Sequence, residues 1–311
     1  MKKKTISIII SCFNEQDNII LGYKRIKKVF SLLKKYIYKI IYVDNDSTDN
    51  SERILSDLAK KDRKIKVIFM SRNFGSPQPS FLAGLENSKC DAAILLHGDL
   101  QDPPELIPKF IKEWEAKNDV IYGKRYKRKG YGMIMNILYR GFYSLLKKLA
   151  YINIPLNAGE FSLIDKKVVK ELIKFKEYDY YIRGLRAFAG FKQKGINYIR
   201  DARKKGKSTE NFLSSLYWAK TLIVNFSFKP LTWISALAFI TVVLSLISIA
   251  IFLIYYIFNP NSPRGIPTLF VLILFLGGVQ LLSISVIAEY ISRIFLEVKK
   301  RPRYIIRKIL N

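Results

Sequence analysis

The sequence predicts an α/β protein with a doubly wound, largely parallel sheet, followed by two membrane-spanning helices. Three observations predict it. Short β-rich runs alternate with segments of helical periodicity over residues 5–125. Two uncharged apolar runs, Leu231–Phe258 (28 residues) and Thr268–Ala288 (21 residues), lie near the C-terminus. The remainder of the 311-residue chain is strongly basic, with 53 Lys and Arg against 25 Asp and Glu and a net charge of +28.

The N-terminal elements follow in order. Thr5–Phe13 reads as a strand, and Asn14 can cap a helix whose face carries Ile19, Tyr23, Ile26, Phe30 and Leu33. Lys39–Val43 is a second strand, leading to a helix with Ile54, Leu55 and Leu58. Ile65–Met70 and Ala92–Leu96 are the third and fourth strands. Pro103-Pro104-Glu105 opens a helix carrying Leu106, Phe110, Ile111 and Trp114, because proline suits a first helical turn. Val120–Tyr122 is a fifth strand. Beyond it the pattern is less regular, with a helix at Met133–Ala150, a strand at Phe161–Ile164 and a basic loop at Arg200–Lys207. In a sheet of this kind ligands bind at the carboxyl ends of the strands.

Asn211–Phe228 places Phe212, Leu216, Ala219, Ile223 and Phe226 at helical spacing. An amphipathic helix at a membrane interface is expected, an ordinary core helix being the alternative. Each apolar run after it reaches the ~20 residues needed to cross a hydrocarbon core. The intervening Asn259–Pro267 contains three prolines and only Arg264 as a charge, so it is the turn of a hairpin. The tail carries Arg293, Lys299, Lys300, Arg301, Arg303, Arg307 and Lys308 against Glu297. The positive-inside tendency puts that tail in the cytoplasm, and two spans put the N-terminal domain there too. The expected organisation is a catalytic domain over 1–210, an interfacial helix over 211–229, two spans over 230–291 and a basic tail over 292–311.

A balance this basic favours anionic partners: nucleic acid, anionic lipid or phosphorylated substrates. The apolar runs favour membrane lipid, and neither zinc-finger spacing nor an RNA-binding aromatic signature is present, so nucleic acid is not expected. Self-association is left open. Cys12 and Cys90 form no CxxC pair, which supports neither a disulfide framework nor a thiolate metal site. Lys2–Lys4 followed by Ile6–Phe13 lacks the length and cleavage site of a signal peptide.

Two segments can carry chemistry. Asp44, in Val43-Asp44-Asn45-Asp46-Ser47-Thr48-Asp49, can hold a ribose or base edge at a strand end, or simply fix a turn. In Asp99-Leu100-Gln101-Asp102-Pro103-Pro104-Glu105, a carboxylate and an amide oxygen two residues apart can ligate Mg²⁺ or Mn²⁺ bridging a diphosphate. A proline-fixed helix start is the bland alternative.

Together with Ser71-Arg72-Asn73-Phe74-Gly75, Arg183-Gly184-Leu185 and the stretch from Arg200-Asp201-Ala202-Arg203 to Gly206-Lys207-Ser208, these motifs occur in an order that resembles glycosyltransferase family 2. The resemblance covers nearly the whole chain and is greatest to the branch acting on polyprenyl phosphates. It implies a GT-A fold, a nucleotide-sugar donor, a divalent metal, and inverting transfer of a hexose to a polyprenyl (undecaprenyl) phosphate, with UDP-glucose the first candidate donor. GDP-mannose, UDP-galactose and UDP-N-acetylhexosamine are the other donors. It implies that Asp44, Asn14, Glu15, Arg72 and His97 face the donor. Asp99, Glu160 and Arg183 would be catalytic, Asp99 and Gln101 would ligate the metal, and Arg200, Arg203, Lys207 and Ser208 would hold the acceptor phosphate. The product would be a lipid-linked sugar for cell-surface glycan or lipopolysaccharide modification, made at a bacterial inner membrane.

Three positions depart from the family's usual pattern. His97 stands where it has an aspartate, Asn45 interrupts its Asp-Asp-Gly, and Glu160-Phe161-Ser162-Leu163 replaces its Asp-Phe-Arg-Leu. They keep a second reading open, a catalytically degenerate transferase serving as a membrane scaffold. If the chain is active, an aspartate at position 97 is expected to be tolerated. A processive synthase is disfavoured because no Arg-Trp pair occurs, and a transporter because the spans hold no charge before Glu289.

Overall fold

A computed structural model describes residues 3–128, 149–155, 158–200, 221, 223–258 and 265–311. The chain forms two compact units. The first comprises Met1–Lys147, Ile152–Glu210 and Arg301–Asn311, and the second Lys148–Tyr151 and Asn211–Lys300.

The first unit is built on β1 (Thr5–Cys12), β2 (Ile37–Asp44), β3 (Ile65–Met70), β4 (Ala92–His97), β5 (Val120–Arg128), β6 (Ala158–Asp165), β7 (Gln193–Arg200) and β8 (Ile306–Leu310). They form one sheet in the order β7-β5-β6-β4-β1-β2-β3-β8. The Ile- and Val-rich runs of β1 to β4 are buried on both faces, as central strands covered by helices must be. On one face lie α1 (Gln16–Ser31), α2 (Ser51–Lys61) and α4 (Ile107–Glu115), which contribute Ile26, Phe30, Leu55, Phe110 and Trp114. On the other lie α3 (Pro77–Glu86), α5 (Lys166–Leu172) and α6 (Ile182–Phe188), which contribute Phe81, Leu82, Val168 and Leu185.

The sheet is mixed rather than largely parallel. β1 pairs in parallel with β2 and β4, and β2 with β3, but β6 runs antiparallel between β4 and β5, and β8 runs antiparallel to β3. Helix α3 was not expected, although Ser76 caps it by accepting from Gln78 N–H and Pro77 opens it. Its residues are small or apolar on most sides and give no clean amphipathic stripe. Asn14 is not the cap of α1, which is Glu15. Asn14 instead adopts φ 55°, a left-handed conformation that asparagine tolerates. The helix expected at Met133–Ala150 lies almost wholly outside the described residues, as do most of the interfacial helix and the basic loop after Arg200.

In the second unit, α7 (Lys229–Phe258) and α8 (Ile266–Val298) are both long and apolar enough to cross a membrane. Pro267 sits in the first turn of α8, where its missing N–H costs nothing. That helix continues ten residues beyond the expected span to Val298, carrying Glu289 and Arg293 as an i,i+4 pair at 3.2 Å. The chain leaves it through Lys300, in a positive-φ conformation, two residues before Pro302.

After α8 the chain rejoins the first unit. β8 lies beside β3 with Ile68 opposite Ile309 and Phe69 opposite Lys308. Ser71 N–H donates to Ile305 O at 2.9 Å, Arg307 pairs with Glu52 at 2.7 Å, and Asn311 Nδ2 donates to Ala59 O and Ile65 O.

Candidate active site

The order β3-β2-β1-β4 makes the chain wind outward from β1 and then cross to its other side. Loops leaving β1 and β4 diverge there, which opens a crevice at the carboxyl ends of these strands. The register sets Cys12 opposite Asp44 and Ser11 opposite His97, so the expected donor-side and metal-side residues meet at one edge.

On the β1–β2 side the polar groups tie two loops together. Asp44 is fully buried and accepts from Ser47 Oγ at 2.5 Å and Ser47 N–H at 3.1 Å. Burial pushes its carboxyl up, and the Ser47 bonds only partly offset this. Asn14 Oδ1 accepts from Thr48 N–H at 2.8 Å, and Asn14 N–H donates to Ser47 Oγ. Glu15 is buried and accepts from Asn18 Nδ2 at 2.6 Å. Asn45 accepts from Phe74 N–H and donates to Asn73, which fixes the loop that carries Arg72. Arg72 itself is exposed and lies over the Phe74 ring at 4.3 Å.

Beyond β4 the Asp99–Asp102 turn passes through Leu100 at φ 56°, a conformation that strains a leucine. Leu100 is nonetheless buried, with its side chain against Gly22 of α1, where a Cβ would approach Leu100 Cδ2 to 3.0 Å. Asp99 Oδ1 accepts from Gln101 N–H at 3.1 Å. Asp102 is fully buried. Its Oδ1 accepts from the Tyr198 hydroxyl, while Oδ2 has no hydrogen-bond partner among the described residues. Arg200, the last residue of β7, reaches both acids, with Nη2 3.6 Å from Asp99 Oδ2 and Nε 3.5 Å from Asp102 Oδ1.

A second cluster forms around Glu160 on β6. Arg183 Nε lies 2.9 Å from Glu160 Oε1, Gln78 Nε2 donates to the same oxygen at 3.3 Å, and His97 Nε2 lies 3.6 Å from Oε2. Burial opposes ionisation of Glu160, but Arg183, His97 and Arg125 outweigh it and hold its carboxyl well below the usual range. Arg183 and Arg186, one turn apart on α6, donate to the successive carbonyls of Ala158 and Gly159. Arg186 is almost completely buried, which depresses its pKa to about 10. Arg125 contacts the Tyr198 hydroxyl at 3.4 Å and so links the two clusters.

The structure therefore brings together His97, Glu160 and Arg183, and separately Asp99, Asp102 and Arg200. Arg203, Lys207 and Ser208 lie outside the described residues. Sequence reasoning assigned no role to Asp102, Gln78, Arg125, Arg186 or Tyr198. Asp102 and Arg186 lay within or beside quoted motifs. Arg125 sits on β5 beyond the expected bounds Val120–Tyr122, and Tyr198 on β7, a strand that irregular periodicity hid.

Hard oxygens for a divalent cation exist at Asp99 and Gln101, and the unpartnered Asp102 oxygen keeps acceptor capacity beside them. Among the described residues no group of three His, Cys, Asp or Glu side chains is arranged to hold a metal alone. That donor set fits a cation such as Mg²⁺, which protein carboxylates share with substrate phosphates and water.

Acids and arginines gathered at the carboxyl ends of the strands of such a sheet suit a transferase. Residues 7–173 match Glycosyl transferase family 2. The chain is 35% identical over 302 residues to the uncharacterized glycosyltransferase YkcC of Bacillus subtilis, covering 97% of this chain and 93% of that protein. It is equally identical to the SfII prophage-derived bactoprenol glucosyl transferase of Shigella flexneri, covering 97% of each chain. With a prophage bactoprenol glucosyl transferase homolog of Escherichia coli it shares 34% identity, covering 98% of this chain and 99% of that one. The chain belongs to glycosyltransferase family 2, and it is an enzyme of the GT-A fold.

Proposed function

We propose that the chain transfers a hexose from a nucleotide sugar, UDP-glucose first among the donors, to a polyprenyl phosphate such as undecaprenyl phosphate. The observation that carries this reading is the placement of Asp99, Asp102 and Arg200 together at the crevice end of the sheet. Acids there suit a metal-bound diphosphate, and an arginine suits a phosphate acceptor. Near-full-length similarity to bactoprenol glucosyl transferases supports the acceptor class. The two apolar helices and the basic composition support an enzyme working at an anionic membrane surface. Return of the chain to the first unit at β8 supports a two-span hairpin with both termini cytoplasmic.

A phosphate monoester with a second pKa of ~6 is already largely dianionic at neutral pH and needs little help from a general base. Glu160, ionised and engaged by three side chains, is suited to positioning rather than to proton abstraction. Asp99 and Gln101 would hold Mg²⁺ or Mn²⁺, which neutralises charge on a leaving nucleoside diphosphate. Arg200, with Arg203, Lys207 and Ser208, would hold the attacking phosphate by charge-assisted bonds. In-line attack by that phosphate inverts the anomeric centre. The lipid-linked sugar would serve cell-surface glycan or lipopolysaccharide modification.

The test is a panel of radiolabelled nucleotide sugars with undecaprenyl phosphate and purified full-length protein. Lipid-linked product from UDP-glucose is expected. Replacing Arg200 and Arg203 together by Ala should raise the KM for acceptor far more than that for donor. Failure to form lipid-linked product from any donor sinks the reading in favour of a degenerate scaffold.

A further inference from the structure

Arg200 spans two carboxylates, yet neither contact is a hydrogen bond. Its Nη2 lies 3.6 Å from Asp99 and its Nε 3.5 Å from Asp102, and the buried Nε has no hydrogen-bond partner among the described residues. Other arginines in this domain are held differently. Arg25 grips Glu105 with two bonds of 2.8 and 2.6 Å, and Arg183 approaches Glu160 to 2.9 Å. A two-pronged charge-assisted bond is strong and directional, whereas a guanidinium held at longer range by attraction alone is easily exchanged for another cation.

The acids it neutralises are fixed independently of it. Asp99 is braced by Gln101 N–H and Asp102 by the Tyr198 hydroxyl. Asp102 also retains a fully buried oxygen without a partner among the described residues. Removing Arg200 would therefore leave a preformed pair of acids, one buried, short of one cation, with Arg125 near Asp102 and His97 near both acids still in place. Tyr198 and Arg200 lie two residues apart on β7, so their side chains share one face of the strand, and only the tyrosine is committed by a hydrogen bond to the acids.

We propose that Arg200 and a divalent cation compete for Asp99 and Asp102, so that metal binding displaces the Arg200 guanidinium and makes it available to the acceptor phosphate. The inference rests on the metal reading of Asp99 given above. It implies positive coupling between a metal at the two acids and a phosphate at Arg200. A lipid phosphate holding Arg200 away from the acids would in turn strengthen metal binding, because coupling between two sites is reciprocal.

The test uses full-length protein in detergent and Mn²⁺ as probe. Free Mn²⁺ is read by its electron paramagnetic resonance signal, with and without UDP. Arg200→Gln is expected to bind Mn²⁺ roughly tenfold more tightly than wild type, within the usual range of site coupling. Arg200→Lys, which keeps the charge but not the two-point reach, should fall between them. Asp99→Asn should lose the binding. In parallel, Arg200→Gln should raise the KM for undecaprenyl phosphate, so metal and acceptor affinities move in opposite directions. A merely structural arginine would weaken both. Unchanged or weaker Mn²⁺ binding in Arg200→Gln, with binding still lost in Asp99→Asn, overturns the competition and leaves the metal reading standing. Wild-type binding in Asp99→Asn removes the metal reading and the competition with it.

Discussion

His97 Nε2 stands 3.6 Å from Glu160 Oε2, continuing the antiparallel register in which Leu95 of β4 faces Ser162 of β6. Burial alone would favour a neutral imidazole. The Glu160 carboxylate, with the negative charges of Asp99 and Asp102, outweighs burial and raises the His97 pKa. Two of the three departures from the family's sequence pattern are thus one contact, a base facing an acid.

This contact predicts a stability cost for an aspartate at position 97, where activity is expected to be retained. His97→Asp would set two carboxylates against each other in a site where His97 and Glu160 side chains are only 17% and 9% exposed. A cost of about 2 kcal/mol is expected, in the upper part of the range for single substitutions. For a domain of this size that lowers the melting temperature by roughly 4–8 °C. Adding Glu160→Gln should restore most of it, and the double-mutant cycle measures the coupling. A His97→Asp protein that melts like wild type would show that the pair is not coupled.

Glu160 also makes an acid-side prediction. A carboxyl whose folded pKa is depressed contributes stability that is fully present above its unfolded pKa of ~4.3 and is lost as pH falls through the folded value. Glu160→Gln should therefore melt well below wild type at pH 7, with the gap narrowing only below about pH 4. Melting curves from pH 3 to 8 test this, and a gap that closes already near pH 6 counts against it.

Tyr198→Phe removes the sole hydrogen-bond donor to Asp102 among the described residues and leaves a fully buried carboxylate. A loss of about 1–3 kcal/mol is expected from the unsatisfied acceptor. Denaturation of the detergent-solubilised protein measures it. Wild-type stability would mean that Asp102 is satisfied in another way.

Topology can be tested directly. Reporter fusions after Asn311 and within 259–267 should report cytoplasmic and periplasmic positions, respectively. A periplasmic signal at Asn311 is incompatible with β8 pairing to β3 in a cytoplasmic domain.

Much of this was legible in the sequence because hydrophobic periodicity is local. β3 was expected at its observed bounds, and Ile19, Ile26 and Phe30 of the buried face of α1 were named, with Tyr23 and Leu33 partly buried beside the core. Strand direction was not legible. β6 runs antiparallel to both β4 and β5, and its pattern shows burial but not orientation. β8 was hidden by charge, because Arg307 and Lys308 read as tail, although an edge strand accommodates such residues well. In the site, the motif positions were visible one by one, but the grouping of Arg200 with Asp99 and Asp102 depends on β7, which periodicity did not reveal.

The placement of β8 sets an order on biosynthesis. Asn311 bonds to the Ile65 carbonyl across 246 residues, and both long apolar helices are made before the ribosome reaches that strand. Until then β3 presents an open, apolar edge of the kind that recruits foreign strands. At ~5–20 residues per second that exposure lasts on the order of ten seconds or more. The nascent domain can close its own edge only after α7 and α8 have been synthesised, so any delay in their emergence prolongs a state prone to aggregate.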